Sequence, residues 1–351
     1  FPSLFKIGIT GSSGKTTTKE IAGAIIGREK NVVMNPGNLK SETGLPLAVF
    51  TVRGDHEVGI FEMGMNRRGE IAELAEILKP HVALITNIGT AHIGILGTKE
   101  AIAKEKKEIF SRFTGTETAL IPADSEFAEF LGRDVNGNVK YYGPGQGASL
   151  GFARDRGLLG TELIWEGTPV RFGLPGRYNL ANALAAAAAA LEVPVSAAAI
   201  RQGLESVKPL SGRSEICSGP VTVIKDCYNA NPEAVYEALS FADSVSWKGR
   251  KIYVIGSMLE LGEYSEAAHK LVGKALAKSE ASMVFLFGEE TLPALDCRVE
   301  TSRQKWFYTD SMEELSAELR SVLRSGDLVL LKGSRGTALE RLMTVIKELP
   351  L

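Results

Sequence analysis

The chain has 351 residues, 44% of them hydrophobic and 23% charged, the make-up of an ordinary globular protein with room for two or three domains. A formal net charge of −2 gives no global basic field for nucleic acid or an anionic membrane. No apolar run approaches the roughly 20 residues that span a bilayer, and three scattered cysteines, Cys217, Cys227 and Cys297, argue for a reducing cytoplasm and against a zinc cage or disulfide framework.

Phe1 is not an initiator residue and a core strand begins within a few residues of it, so a further N-terminal segment is expected. The apolar run Phe5 to Ile9 predicts a strand over 5–10. It runs straight into Gly11-Ser12-Ser13-Gly14-Lys15-Thr16-Thr17, and a helix is predicted over 16–26 with Ile21, Ala24 and Ile25 on one face. Strand, small-residue loop, lysine and helix start together describe a phosphate-binding loop. Backbone N–H groups close around phosphate oxygens, Lys15 adds a point charge, the Thr16 hydroxyl can ligate Mg²⁺, and the helix directs its positive end at the anion. The spacing is shorter than the usual pattern, since position 9 is Ile where a glycine is normal. A glycine turn with an exposed lysine is the alternative, and the flanking strand and helix speak against it.

Further strands are predicted over 58–63, 82–86 and 119–122, with helices over 68–78, 99–113 and 179–191. Alternating apolar runs and amphipathic stretches describe a parallel sheet wrapped by helices. Glu62 closes the first of these strands, where it could complete a Mg²⁺ site with Thr16 or simply face solvent. His92, in Thr86-Asn87-Ile88-Gly89-Thr90-Ala91-His92, follows another strand and could ligate a metal, carry a proton or serve the loop by hydrogen bonding. Lys104-Glu105-Lys106-Lys107-Glu108 reads by itself as a charged, solvated helix face. Residues 136–151 are glycine-rich and are expected to be loop, while Glu166-Gly167-Thr168 between two alternating runs signals a hairpin.

A second α/β series follows Pro209-Leu210-Ser211-Gly212, giving domains 1–212 and 213–351. Its strands are predicted over 221–225, 251–255, 283–287 and 328–331, its helices over 232–242, 265–278, 311–323 and 338–347. Asp226-Cys227-Tyr228-Asn229-Ala230-Asn231-Pro232 and Lys332-Gly333-Ser334-Arg335-Gly336 each leave a strand end and enter a helix. They suggest a second edge that binds an anion or zwitterion, although turn chemistry alone accounts for Asn231-Pro232.

In that order, the phosphate loop, Phe61-Glu62-Met63-Gly64, the Thr86–His92 string, Ala103 to Phe110, Gly176-Arg177-Tyr178-Asn179-Leu180-Ala181-Asn182, the Asp226–Pro232 string, Gly256-Ser257-Met258-Leu259-Glu260-Leu261-Gly262 and Lys332 to Gly336 resemble the Mur ligase family, ATP-dependent amide-forming enzymes of peptidoglycan synthesis. The last strings are most similar to those of the member that adds D-alanyl-D-alanine to a UDP-linked muramoyl tripeptide. The resemblance implies a P-loop ATPase domain with a mostly parallel sheet, then a Rossmann-like α/β C-terminal domain. It implies that Gly11, Ser12, Ser13, Gly14, Lys15, Thr16 and Thr17 hold ATP, that Thr16, Glu62 and His92 ligate two magnesium ions, and that Lys106 is a carbamate bridging metal. This last reverses the solvated reading of that helix. By the same resemblance Asn179 and Asn182 meet adenine, Arg213 and Asp226 reach phosphate and ribose, and Asn229, Asn231, Ser334 and Arg335 serve the incoming dipeptide and closure. Lys15, Lys106 and His92 are the catalytic candidates. A cytoplasmic monomer is expected, with no nucleic-acid or membrane partner. Two departures stand out: these ligases carry an N-terminal domain for the UDP moiety, to which no stretch of these 351 residues corresponds, and position 257 is Ser where the string has Asp. A folylpolyglutamate-type or cofactor-building ligase, or a non-catalytic ATP-binding module, are the alternative readings.

Overall fold

A computed structural model describes residues 3–37, 39–146 and 150–348. The chain divides into one unit of Phe1–Arg156 with Gly160–Lys208 and another of Gly157–Leu159 with Pro209–Leu351. In the first, β1 (Phe5–Thr10), β2 (Val32–Met34), β3 (Val58–Glu62), β4 (Val82–Ile85), β5 (Thr118–Pro122) and β6 (Asn138–Tyr142) form a parallel sheet in the order β2-β3-β1-β4-β5-β6. β3, β4 and β5 are buried along their whole length, as parallel strands covered on both faces must be. The chain leaves β1 toward β2 and β3, then crosses to β4 on the other side. The carboxyl end of β1 is therefore the point where strand order reverses, the usual seat of a ligand crevice in an open α/β sheet.

The helix Lys15–Ile26 follows β1 directly and packs beside the helix Tyr178–Leu191, whose alanines Ala185 to Ala190 are all buried. Small side chains let the helix lie close to its neighbours without voids. The helix Ala197–Ser206, which periodicity did not single out, backs onto Lys15–Ile26 through Gly203: a Cβ there would run into the Ile25 backbone. Three antiparallel strands, β7 (Leu150–Asp155), β8 (Thr161–Trp165) and β9 (Thr168–Phe172), complete the unit. The β8–β9 connection is the expected two-residue hairpin, with positive φ at Glu166 (47°) and Gly167 (78°).

The second unit has β10 (Glu215–Cys217), β11 (Thr222–Asp226), β12 (Lys251–Gly256), β13 (Met283–Phe287), β14 (Lys305–Thr309) and β15 (Leu328–Lys332) in the order β10-β11-β15-β12-β13-β14. Only β10 runs antiparallel to its neighbour. Val223, Val254, Phe285 and Leu331 face Leu315, Leu319 and Leu342 in its core. The two architectures are the P-loop and Rossmann-like α/β sheets expected. Among the described residues no helix is long and apolar enough to cross a membrane.

Two local expectations need correction. The 136–151 segment is not all loop: it contains β6, an edge strand exposed at most positions, whose inward residue Tyr142 donates its hydroxyl to the Ile85 and Thr86 carbonyls at 2.8 and 3.1 Å. An edge strand buries too little to show apolar alternation in sequence. Residues 147–149 of that segment, like Phe1, lie outside the described residues. The helix predicted over 338–347 begins only at Leu342, because Ala338 is left-handed (φ 49°) between two 3₁₀ turns.

Candidate functional site

The phosphate loop sits at the carboxyl end of β1 and is tied down from the loop after β4. The Ser12 amide donates to the Asn87 carbonyl (3.0 Å), and its hydroxyl exchanges hydrogen bonds with the Gly89 backbone. The Ser13 amide donates to Asn87 Oδ1 (3.0 Å), Asn87 Nδ2 donates to Ser13 Oγ (2.9 Å), and the Thr86 hydroxyl donates to the Ser13 carbonyl (2.6 Å). A loop rich in small residues has many conformers to lose; these contacts hold one of them before a ligand arrives. Gly11 and Gly14 both need positive φ (146° and 77°) and bare Cα atoms. A Cβ at Gly11 would meet the Thr86 hydroxyl, and one at Gly14 would meet Asn182 Oδ1.

Lys15 opens the helix Lys15–Ile26, with its ammonium turned back over the loop to the Gly11 carbonyl (2.7 Å). Thr17 is half-buried in the same first turn. The Thr16 hydroxyl donates to Glu62 Oε2 at 2.5 Å, bringing together two residues 46 positions apart. Glu62 is 1% exposed. Asn35 after β2 fixes it through both backbone groups: the Glu62 amide donates to Asn35 Oδ1 (2.8 Å) and Asn35 Nδ2 donates to the Glu62 carbonyl (3.0 Å). The other carboxylate oxygen, Oε1, accepts from Lys40 Nζ at 3.1 Å. Glu62 is thus no solvated strand end but a buried anion held at a strand terminus beside the phosphate loop. A hydroxyl and a carboxylate are the hard-oxygen donors that suit Mg²⁺, which takes one or two protein ligands and completes its shell with phosphate and water. Among the described residues no group of three or more His, Cys, Asp or Glu is placed to hold a metal ion.

Lys106, on the helix Lys99–Lys107, is also 1% exposed. Burial pushes its ammonium down to about 7; neighbouring Glu105 pulls the other way and Lys40 adds to the lowering. Glu105 meanwhile accepts from the Gly69 and Ile71 amides (2.9 and 3.1 Å), capping the helix Glu70–Leu78. So the helix read by itself as solvated carries two buried charged residues. His92 is half-buried with a left-handed backbone (φ 65°), an uncommon state for a side-chain-bearing residue and one that clusters at functional turns.

Asn179 and Asn182 are buried on the helix Tyr178–Leu191. Asn179 Nδ2 donates to the Pro175 carbonyl (2.7 Å), Asn182 Nδ2 donates to Asn179 Oδ1 (2.9 Å), and Asn182 Oδ1 lies against Gly14 and the Thr18 hydroxyl. Asn182 therefore adjoins the phosphate loop, and Asn179 supports it from behind.

In the second unit Asp226 ends β11. Its carboxylate takes the Lys332 ammonium (3.1 Å) and the Ser214 amide (3.2 Å), and Lys332, only 2% exposed, also donates to the carbonyl of Asn229 (2.6 Å). Asn229 is otherwise exposed. Asn231 Oδ1 accepts from the Ala234 amide (2.8 Å) and caps the helix Pro232–Ser244. Ser334 is buried, accepting from the Leu259 amide (2.9 Å). Arg213 lies over the Tyr228 ring at 3.9 Å and exposed Arg335 approaches it at 5.9 Å. Ser257, the departure from the expected Asp, donates to Glu290 Oε2 (2.6 Å), so a carboxylate stands at that strand end after all. The sequence reading passed over Asn35, Lys40, Asn87 and Glu290. Asn35 and Asn87 lie within two residues of a strand's carboxyl end, and that position was the signal available for finding them; Glu290 lies in the 3₁₀ turn after β13 and Lys40 six residues past β2, where no such signal exists.

The comparisons with known proteins agree over both units. Residues 9–190 match the Mur ligase middle domain and residues 212–335 match the Mur ligase glutamate ligase domain. The UDP-N-acetylmuramoyl-tripeptide--D-alanyl-D-alanine ligase of Treponema pallidum is 47% identical over 99% of this chain and 76% of its own length. Among solved structures, MurF from Acinetobacter baumannii superposes with a TM-score of 0.88 at 31% identity, covering 99% of this chain and 77% of that one. MurF ligase from Thermotoga maritima, in complex with ADP, gives 0.83 at 29% identity over 99% and 80%. With both domain models matched in order and a relative 47% identical over 99% of these residues, the chain belongs to the Mur ligase family.

Proposed function

We propose that this protein is an ATP-dependent ligase that joins D-alanyl-D-alanine to UDP-N-acetylmuramoyl-tripeptide in peptidoglycan precursor synthesis. The observation that carries the chemistry is the Thr16 hydroxyl on buried Glu62, at the first turn of the helix leaving the phosphate loop. The substrates follow from the relative named for that reaction at 47% identity.

In this reading residues 1–212 handle ATP and residues 213–351 serve the amine donor and the late contacts to nucleotide. Backbone N–H groups of Gly11 to Thr17 cradle the phosphates, and Lys15 leaves the Gly11 carbonyl to meet the transferring phosphoryl group. Thr16 and Glu62 hold one Mg²⁺; His92 and a carbamate on Lys106 serve a second. Bound magnesium supplies charge neutralisation at the phosphoryl oxygens. The neutral Lys106 amine is the form that adds CO₂, forming a C–N bond and releasing a proton, and burial favours that form. Asn179 and Asn182 are assigned to adenine, Arg213 and Asp226 to phosphate and ribose, and Asn229, Asn231, Ser334 and Arg335 to the dipeptide. ATP gives its γ-phosphoryl group to the tripeptide's terminal carboxylate, leaving ADP and an acyl phosphate. The dipeptide amine then attacks that carbonyl, a tetrahedral intermediate forms, and phosphate leaves as the amide closes. We assign the enzyme to the cytoplasm, in keeping with three free cysteines, and expect it to act as a monomer.

The test is phosphate release from Mg-ATP by the full-length protein, with UDP-N-acetylmuramoyl-tripeptide plus D-alanyl-D-alanine in one arm and a folate plus glutamate in the other. Release with the muramoyl pair alone, abolished by Lys15→Ala, is expected. Release with the folate pair alone would overturn the substrate, and turnover unchanged by Lys15→Ala would overturn the phosphate-loop assignment.

A further inference from the structure

Lys40 lies in the segment between β2 and the helix Gly44–Val49, with nothing in its sequence to mark it. In the fold it is held with unusual care. Asn35 Nδ2 donates to the preceding carbonyl, Leu39 O, at 2.7 Å, and the Lys40 carbonyl accepts from the Gly64 amide at 2.8 Å. Its side-chain stem runs over the bare Cα of Gly64: a Cβ there would come within 2.9 Å of Lys40 Cγ and 3.0 Å of Cδ. The side chain is 29% exposed, and its ammonium ends 3.1 Å from Oε1 of Glu62, whose side chain is 1% exposed. The other oxygen of that carboxylate carries the Thr16 hydroxyl. Both oxygens of the carboxylate proposed above as a magnesium ligand are therefore engaged, one of them by a full positive charge.

We propose that Lys40 is the resident counter-cation of Glu62, occupying the carboxylate until a divalent cation replaces it, so that metal loading is an exchange of one cation for another. A buried carboxylate left unpaired is costly, and a cation beside it offsets that cost. Lys40 thus holds the Glu62 carboxylate in place before the metal arrives, and it lowers the affinity of the empty site for that metal. Glu62 has to give up one cation to take another, since two positive charges on one carboxylate repel. The ammonium, on a flexible four-carbon stem, moves aside more easily than a planar guanidinium would. This rests on the assignment of Glu62 as a metal ligand.

The experiment uses the full-length protein without nucleotide and Mn²⁺ as the probe, read by water-proton relaxation. Lys40→Met keeps the stem packed on Gly64 and removes the charge; it should bind Mn²⁺ about fivefold more tightly than wild type, the order of effect of losing one partly exposed ion pair. Lys40→Gln should move the same way, which keeps the test open if the methionine variant misfolds, and Lys40→Arg should bind no more tightly than wild type. Equal or weaker binding by both neutral variants, while Glu62→Gln loses the site, would overturn the exchange and leave the metal assignment standing. Mn²⁺ binding unchanged in Glu62→Gln would overturn the metal assignment, and the exchange with it.

Discussion

The carbamate proposed for Lys106 has a direct readout, because burial lowers the value at which its amine titrates. At an ordinary lysine value of 10.5, about one amine in 3,000 is neutral at pH 7; at about 7, roughly one in two is, an increase of the order of a thousandfold in the form that adds CO₂. Burial causes most of this, since no solvent stabilises the ammonium at a residue 1% exposed. The perturbation is a pH titration at fixed bicarbonate, and the assay is the ¹³C carbamate signal from labelled bicarbonate. Above the amine's own value, the fall in CO₂ and the fall in protons offset each other, so occupancy levels off. Half of that plateau should be reached near pH 7, and Lys106→Ala should remove the signal. A half-plateau near pH 10, where surface lysines react, or a signal that survives Lys106→Ala, would refute the reasoning. The sign of the linked stability change follows. Without CO₂ the unfolded chain binds the extra proton between pH 7 and 10.5, so the cost of burying this ammonium is fully present below about 7 and fades as pH rises toward 10.5. The stability difference between Lys106→Met and wild type, measured by urea unfolding, should shrink over that window; a difference independent of pH would speak against the lowered value.

Two further substitutions separate structural from ligand roles. Asn231→Ala removes the cap of the helix Pro232–Ser244 and should cost about 1 kcal/mol of stability in thermal unfolding; a rise in the dipeptide KM beyond what Asn231→Asp, which can still cap, produces would support its assignment to the substrate, and parallel behaviour of the two would leave it a cap. Gly14→Ala combines a positive φ with a clash against Asn182, so nucleotide affinity measured by calorimetry should collapse, with a stability cost of about 1–3 kcal/mol; wild-type ADP binding would show that the loop adjusts at no cost.

The sequence by itself determined the class of both sheets, the phosphate loop and the β8–β9 hairpin. These depend on local rules: apolar runs bounded by turn residues, a glycine where φ must be positive, a two-residue turn with the right twist. It also placed Glu62 at a strand end, where a parallel sheet gathers chemistry, and His92 in the connection that follows another strand. What it did not contain was which polar residues become buried. Read locally, Lys106 belongs to a charged helix face and Glu62 to a strand terminus in water; only packing across 46 residues sets Glu62 against Thr16, and only the surrounding fold dries Lys106 and moves its titration. Lys40 and Asn35 carry no motif, and their bonds to Glu62 exist because β2 and β3 are neighbours in the sheet. Edge strand β6 escaped for the opposite reason, since it buries too little to leave a pattern. Local structure follows from short-range sterics and hydrogen bonding that neighbouring residues specify. Burial, and with it the charge state and partner of each ionisable group, is a property of the long-range contacts that only the folded chain makes.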